Sequence, residues 1–200
     1  MASTSLEELI LALGCLPGVG RKSAQRMALY LLERDQAGAR RIADALNAAL
    51  EKVKHCEQCR NFSDDDVCDI CADVGRDQTT ICVVETPADV IAVESSAAFR
   101  GRYFVLLGKL SPLDGCGPEQ LGLDLLEQQL AQSDTREIIL ATSATVEGDI
   151  TAQYIADFAA SRGVASSRLA RGIPLGGELE FVDSGTLSRA MSGRQQLDKT

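Results

Sequence analysis

Tryptophan is absent from the 200 residues, histidine occurs once, and aromatic side chains make up only 4% of the chain. A core built from this sequence must therefore come from Leu, Ile, Val and Ala. Long apolar runs are missing too. The longest, such as Ile81–Val84 and Ile138–Ala141, are strand-sized, well short of the roughly 18 residues that cross a bilayer. The first ten residues carry Glu7 and Glu8 and no basic residue ahead of the apolar positions, so a signal peptide is not expected and a cytoplasmic location is. Positive charge is scarce, with 20 Lys and Arg against 29 Asp and Glu, a net −9 that argues against a protein coating nucleic acid all over its surface. What is present is ordinary for a soluble globular chain: 45% hydrophobic and 24% charged residues exclude wholesale disorder.

The charge is uneven. Residues 21–41 hold six Lys or Arg against two Asp or Glu, whereas residues 55–79 hold two against seven. A short basic patch on an acidic body fits a localised anion site. The apolar spacing predicts three helices first, over 5–14, 22–33 and 37–54. The last of these places Ile42, Ala45, Leu46, Ala49, Leu50 and Val53 on one stripe. A Cys- and Asp-rich segment follows at 56–71. From 80 onward strands at 80–85, 103–107, 137–142 and 167–171 alternate with helices at 88–99, 121–132, 149–162 and 186–193. Continuous apolar strands between helices predict a parallel sheet covered on both faces. The last few residues read as frayed.

Cys56-x2-Cys59-x8-Cys68-x2-Cys71 carries the sharpest chemistry. Each CxxC closes two thiolates on one ion, and two such knuckles complete a tetrahedron with no open position, the pattern of a structural Zn²⁺ site. A pair of redox CxxC motifs is the competing reading. His55 is surplus beside four cysteines, and Cys15, Cys82 and Cys116 read as buried, reduced thiols.

Leu16-Pro17-Gly18-Val19-Gly20 separates two predicted helices and leads into Arg21-Lys22-Ser23-Ala24-Gln25-Arg26. Gly18 and Gly20 are read as opening backbone conformations closed to other residues. Backbone N–H groups at the start of the next helix would then face an anion, with Val19 as the buried tip. Lys22 and Arg26, four apart, share a helix face beside them. The arrangement suits a helix-hairpin-helix grip on DNA phosphate. Glu85 ends one predicted strand and Glu147-x-Asp149 follows another, which puts three acids at the carboxyl edge of the sheet, where ligands bind. Together they could hold Mg²⁺ or meet a basic partner.

These signals, in this order, resemble the RecR family of bacterial recombination mediators over essentially the whole chain. The strings that carry the resemblance are Leu16–Arg26, the four cysteines with Cys68-Asp69-Ile70-Cys71, and Arg76-Asp77-Gln78 through Ile81–Glu85. Three more are Leu110-Ser111-Pro112-Leu113-Asp114-Gly115-Cys116-Gly117-Pro118, Thr145-Val146-Glu147-Gly148-Asp149 and Arg171–Glu180. Ser143-Ala144 stand where the family often has Asn-Pro, and Phe104 where a His is common. The resemblance implies an α/β chain of four parts: a helix-hairpin-helix domain (1–54), a four-cysteine zinc finger (55–79), a Toprim-type parallel sheet with helices on both faces (80–170) and a Walker-B-like C-terminal segment (171–200). It implies DNA-binding residues Gly18, Val19, Gly20, Lys22 and Arg26, and zinc ligands Cys56, Cys59, Cys68 and Cys71. Glu85, Glu147 and Asp149 would be a partner surface or a site for a Mg²⁺ that the function does not require. It implies a homotetrameric ring, in a bacterial cytoplasm and near the nucleoid, that binds single- and double-stranded DNA. With RecO and RecF that ring would load RecA onto strands coated by single-strand-binding protein, with no catalysis of its own. A Toprim nuclease or primase is the main competing class. Against it, no tyrosine nucleophile lies near the acids, and Glu-x-Asp stands where such enzymes carry Asp-x-Asp. A zinc-ribbon transcription accessory would leave the sheet unexplained.

Overall fold

The computed structural model describes residues 4–113 and 115–194. Asp114 of the matching string and the fraying expected at the C-terminus lie outside them. The chain divides into two compact units, Met1–Val53 and Lys54–Thr200.

The first unit is three helices, α1 (Thr4–Leu13), α2 (Arg21–Glu33) and α3 (Gln36–Lys52). Asp35 caps α3 by accepting a hydrogen bond from Gly38 N at 2.8 Å. Ala24 and Ala28 of α2 and Gly38 of α3 are buried. These small residues let the helices approach, but they leave the larger apolar side chains outside. The predicted stripe on α3 is not part of this chain's own core: Ile42, Leu46, Leu50 and Val53 are all exposed, Leu50 to 82%.

The second unit opens with a hairpin of β1 (Lys54–His55) and β2 (Phe62–Ser63), followed by a single turn, α4 (Asp69–Ala72). A four-stranded sheet then forms from β3 (Thr80–Val84), β4 (Arg102–Val105), β5 (Glu137–Ala141) and β6 (Ala165–Arg168), with α5 (Pro87–Ser95), α6 (Leu123–Gln132) and α7 (Val146–Ser161) as crossovers. The strand order is β4-β3-β5-β6 and every pairing is parallel. A 3₁₀ turn at Leu179–Phe181 and helix α8 (Ser184–Ser192) complete the described chain.

The alternation of strand side chains explains why the strands are apolar throughout. Ile81, Val83, Phe104, Ile138 and Leu140 point to one face and pack with Leu123, Leu126 and Leu130 of α6 and with Ala152, Ile155 and Ala159 of α7. Cys82, Val84, Tyr103 and Val105 point to the other, where they pack with Val90 of α5 and with Cys56, Cys59 and Cys68. The cysteine-rich segment thus has no core of its own and shares one with the sheet.

Of the three remaining cysteines, Cys82 is buried and Cys116 half-buried. Burial pushes the Cys82 thiol up to about 11. Cys15 departs from expectation: it is exposed, because it lies in the turn after α1, a helix with no buried residue of its own.

Candidate functional site

Three groupings concentrate the chemistry. The first is the cysteine quartet. The β1–β2 hairpin presents Cys56 and Cys59, the N-cap of α4 presents Cys68 and α4 itself presents Cys71. Their four Sγ atoms all lie within 4.8 Å of one another, the only such group of three or more potential ligands among the described residues. Cys59 and Cys68 Sγ are 3.5 Å apart, and Cys68 N donates to Cys56 Sγ at 3.3 Å. A tetrahedron of Zn–S bonds of about 2.3 Å needs sulfurs roughly 3.8 Å apart, a spacing that falls within the quartet's 4.8 Å span. A hydrogen bond with Cys71 draws the Cys59 thiol down to about 6; burial pushes Cys68 up to about 11, and the Cys59 partner pushes Cys71 well up. Zinc binds thiolates, so loading the quartet releases protons. His55 turns away from the quartet, stacking on Phe62 at 5.2 Å between ring centroids and donating from Nδ1 to Arg60 O at 2.9 Å.

Two arginines fasten this segment to the sheet. Arg60 sends Nη1 to Leu106 O at 3.2 Å and to Leu121 O, and Nη2 to Gln120 O at 3.2 Å. Its guanidinium lies 5.8 Å from the centroid of the Phe104 ring. Arg76 pairs with Glu94, which also accepts from Tyr103 Oη at 2.7 Å, and donates to Gly101 O at 2.8 Å. Burial raises the Glu94 carboxyl, but Arg76 and Tyr103 more than offset it and hold it below the ordinary range.

The second grouping is the α1–α2 turn. Val19 N donates to Leu16 O at 3.1 Å to close it. Gly18 sits at φ +78°, in the left-handed region that favours glycine. Gly20 does not: it is extended at φ −77°, ψ 164°, and caps α2 without a side chain, so its freedom of conformation is not needed. What it leaves is open space, since a Cβ there would meet nothing within 4 Å. Val19 is half-buried rather than a fully buried tip. Lys22 and Arg26 are exposed, and neither forms an ion pair among the described residues. Two unneutralised cations therefore stand beside the free N–H groups of the first turn of α2, which is what an oxyanion needs.

The third grouping is the carboxyl edge. The chain leaves β3 for β4 on one side and returns to β5 on the other, so the crossovers diverge between β3 and β5, at Glu85 and residues 142–149. The three acids share this edge but do not form one cluster. Glu85 Oε1 accepts from Ser143 N at 2.9 Å and Ser143 Oγ at 2.8 Å. Glu147, in the first turn of α7, lies 3.5 Å from Lys109 Nζ, and hydrogen bonds from its own backbone and from Thr145, together with Lys109, hold its carboxyl low. Asp149 lies 2.6 Å from Arg171 Nη2, 2.7 Å from Arg168 Nη1 and 3.8 Å from Arg189 Nη1. Arg171 and Arg168 hold it down to about 2. Cations within the chain meet the charges of Glu147 and Asp149, and Glu85 is held by the neutral donors of Ser143. Thr145 caps α7 by accepting from Gly148 N at 3.1 Å. Gly148 is required there, since a Cβ would stand 2.3 Å from Ser143 O.

Family models match along nearly the whole chain: the RecR helix-hairpin-helix over residues 6–50, the RecR zinc finger domain with its four cysteines over 53–73, the Toprim domain over 79–170 and the RecR C-terminal region over 172–195. The recombination protein RecR of Xanthomonas axonopodis pv. citri is 56% identical over 195 residues, covering 98% of this chain and 99% of the relative. The chain belongs to the RecR family. RecR of Alcanivorax borkumensis is 53% identical over 193 residues, 96% of each chain, and that of Saccharophagus degradans 52% over 197 residues, 98% of this chain and 100% of the relative. This RecR-family chain is thus a recombination protein with a role in DNA repair, and its four cysteines are the family's structural zinc site. No described helix is long and apolar enough to cross a membrane.

Sequence reasoning missed Arg60, Glu94, Lys109, Arg168 and Arg189. Their partners lie 9 to 61 positions away in the chain, and no local spacing reports such pairs. Arg171 stood inside a matching string without a role, and the structure supplies one.

Proposed function

We propose that this RecR-family chain is a non-catalytic DNA-binding mediator of recombinational repair. With RecO and RecF it loads RecA onto single-stranded DNA coated by single-strand-binding protein at gaps, working as a ring of four copies. Gly18, Val19 and Gly20 bring backbone N–H groups to a phosphate, and Lys22 and Arg26 neutralise it without reading bases.

The observation that carries this reading is the pair of unneutralised cations at the open N-terminal turn of α2, on a chain whose net charge is −9. One patch of that size is a weak clamp, but four facing a common hole would sum their fields. The uncovered stripe of Ile42, Leu46 and Leu50 supports assembly through the N-terminal helices, because apolar surface of this kind is normally covered by another copy or partner. Against catalysis stands the commitment of Asp149 to three arginines. Glu147, with one lysine partner and a side chain partly open to solvent, is the acid best placed to meet a basic partner such as RecO.

The test is RecA loading on gapped DNA coated with single-strand-binding protein. The chain with RecO and RecF restores RecA-dependent ATP hydrolysis, and the double variant Lys22→Ala/Arg26→Ala does not. Strand cleavage or priming by the chain alone with Mg²⁺ or Mn²⁺ would move it into the enzyme class.

A further inference from the structure

We propose that Tyr30 is a stacking platform for an unpaired DNA base, so that α2 favours single strands over duplex. The inference rests on the reading of Lys22 and Arg26 as phosphate contacts and extends it along the same helix. Arg26 and Tyr30 follow Lys22 at intervals of four, and Arg34 stands four further on at the C-cap of α2. That spacing places cation, cation, aromatic ring and cation along one side, away from the buried Ala24 and Ala28.

The ring is 56% exposed, its hydroxyl has no hydrogen-bond partner among the described residues, and it lines an open hollow of about 700 Å³ with Arg26, Met27 and Arg34. None of Lys22, Arg26 and Arg34 forms an ion pair among the described residues, and the lining of the hollow sets Arg26 and Arg34 against one acid, Glu33, which leaves it net positive toward a polyanion. An exposed aromatic ring among unpaired cations is the combination that binds single-stranded nucleic acid: cations follow the backbone while the ring takes the face of a base. Four residues, about 6 Å along the axis, separate Arg26 from Tyr30, the reach of a nucleotide from its phosphate to its base. A duplex offers the same phosphates, but its base faces are already stacked. The ring therefore adds affinity for single strands alone.

The sequence provides its own reporter, because the chain has no tryptophan. Tyr30→Trp in the zinc-loaded full chain places a single indole at the platform, and a mixed-sequence single strand is expected to quench it while the matching duplex does not. By fluorescence anisotropy at low salt, Tyr30→Ala weakens single-strand binding about tenfold and leaves duplex binding within twofold, while Tyr30→Phe binds like the parent. Equal losses on both DNAs, unchanged single-strand binding, or a change of mass by light scattering would overturn the proposal, the last by placing the ring against another copy. The underlying phosphate reading fails separately: Lys22→Ala and Arg26→Ala would then bind both DNAs like the parent, while Tyr30→Trp still answers for the base.

Discussion

The guanidinium of Arg60 occupies the space that a side chain at residue 122 would need: a Cβ on Gly122 would stand 2.5 Å from Arg60 Nη1 and 2.8 Å from Cζ. Gly122 also sits at φ +65°, where a Cβ is strained by about 1–2 kcal/mol. Gly122→Ala is expected to lower the urea midpoint by that backbone cost plus the displacement of Arg60 from its three carbonyl partners. Arg60→Ala costs about 1–3 kcal/mol by leaving those carbonyls unpaired. In the double variant the two losses fall short of their sum, since only one of them contains the clash. Strict additivity in urea titrations would show that Arg60 yields freely.

Zinc removal should reach well beyond the finger. Because Cys56, Cys59 and Cys68 pack against Cys82, Val84, Tyr103 and Val105, stripping the ion, or Cys59→Ala, exposes one face of the sheet. Freshly purified protein is expected to hold one zinc per chain by metal analysis. Amide exchange in β3 and β4 accelerates on removal. Protection of those strands that survives chelation would mean that the sheet does not depend on the finger.

The hairpin contacts predict a particular salt response. Lys22→Ala and Arg26→Ala should weaken binding about equally for unrelated DNA sequences, and each should flatten the dependence of log affinity on log salt by roughly one unit. Binding titrations at several salt concentrations measure this slope, and sequence-dependent losses would point to base contacts.

Asp149 latches the C-terminal segment through Arg171 and Arg189. Its folded carboxyl is depressed from 3.8 to about 2, so its contribution is complete above the ordinary value and is lost as pH falls through that window. Hydrogen exchange in α8, normalised to the intrinsic amide rate at each pH, should be unchanged at pH 5 and quicken as pH drops toward 2. Asp149→Asn should reproduce the quickening at neutral pH. Equal exchange in the variant and the parent would mean that the segment is held by other contacts.

The Glu147 side chain is partly open to solvent beside Lys109, so its place in a partner interface would be that of a rim charge rather than a desolvated pair. Glu147→Ala is expected to leave zinc content and DNA binding intact, to slow association with RecO, and to reduce the salt dependence of that association. Surface-immobilised RecO provides the measurement, and an unchanged association rate would remove Glu147 from the interface.

Patterns that act over a few residues were readable without coordinates. Two CxxC pairs close on one ion because two residues between cysteines make a knuckle. Pro17, Gly18 and the cations that follow announce a turn entering a helix, and the apolar runs at 81–84 and 138–141 announce strands of a sheet covered on both faces. All of these are consequences of local geometry and hydrophobic period. Tertiary structure decided whatever depends on distant partners. It set the finger against the sheet through Arg60 and Arg76, gave each of the three acids a separate partner, and left Cys15 and the α3 stripe exposed. An apolar stripe says that a face will be covered, but not that the cover belongs to the same chain. A carboxylate shows its charge in the sequence, while the cation that meets Asp149 is chosen by how β6, α7 and the C-terminal segment pack.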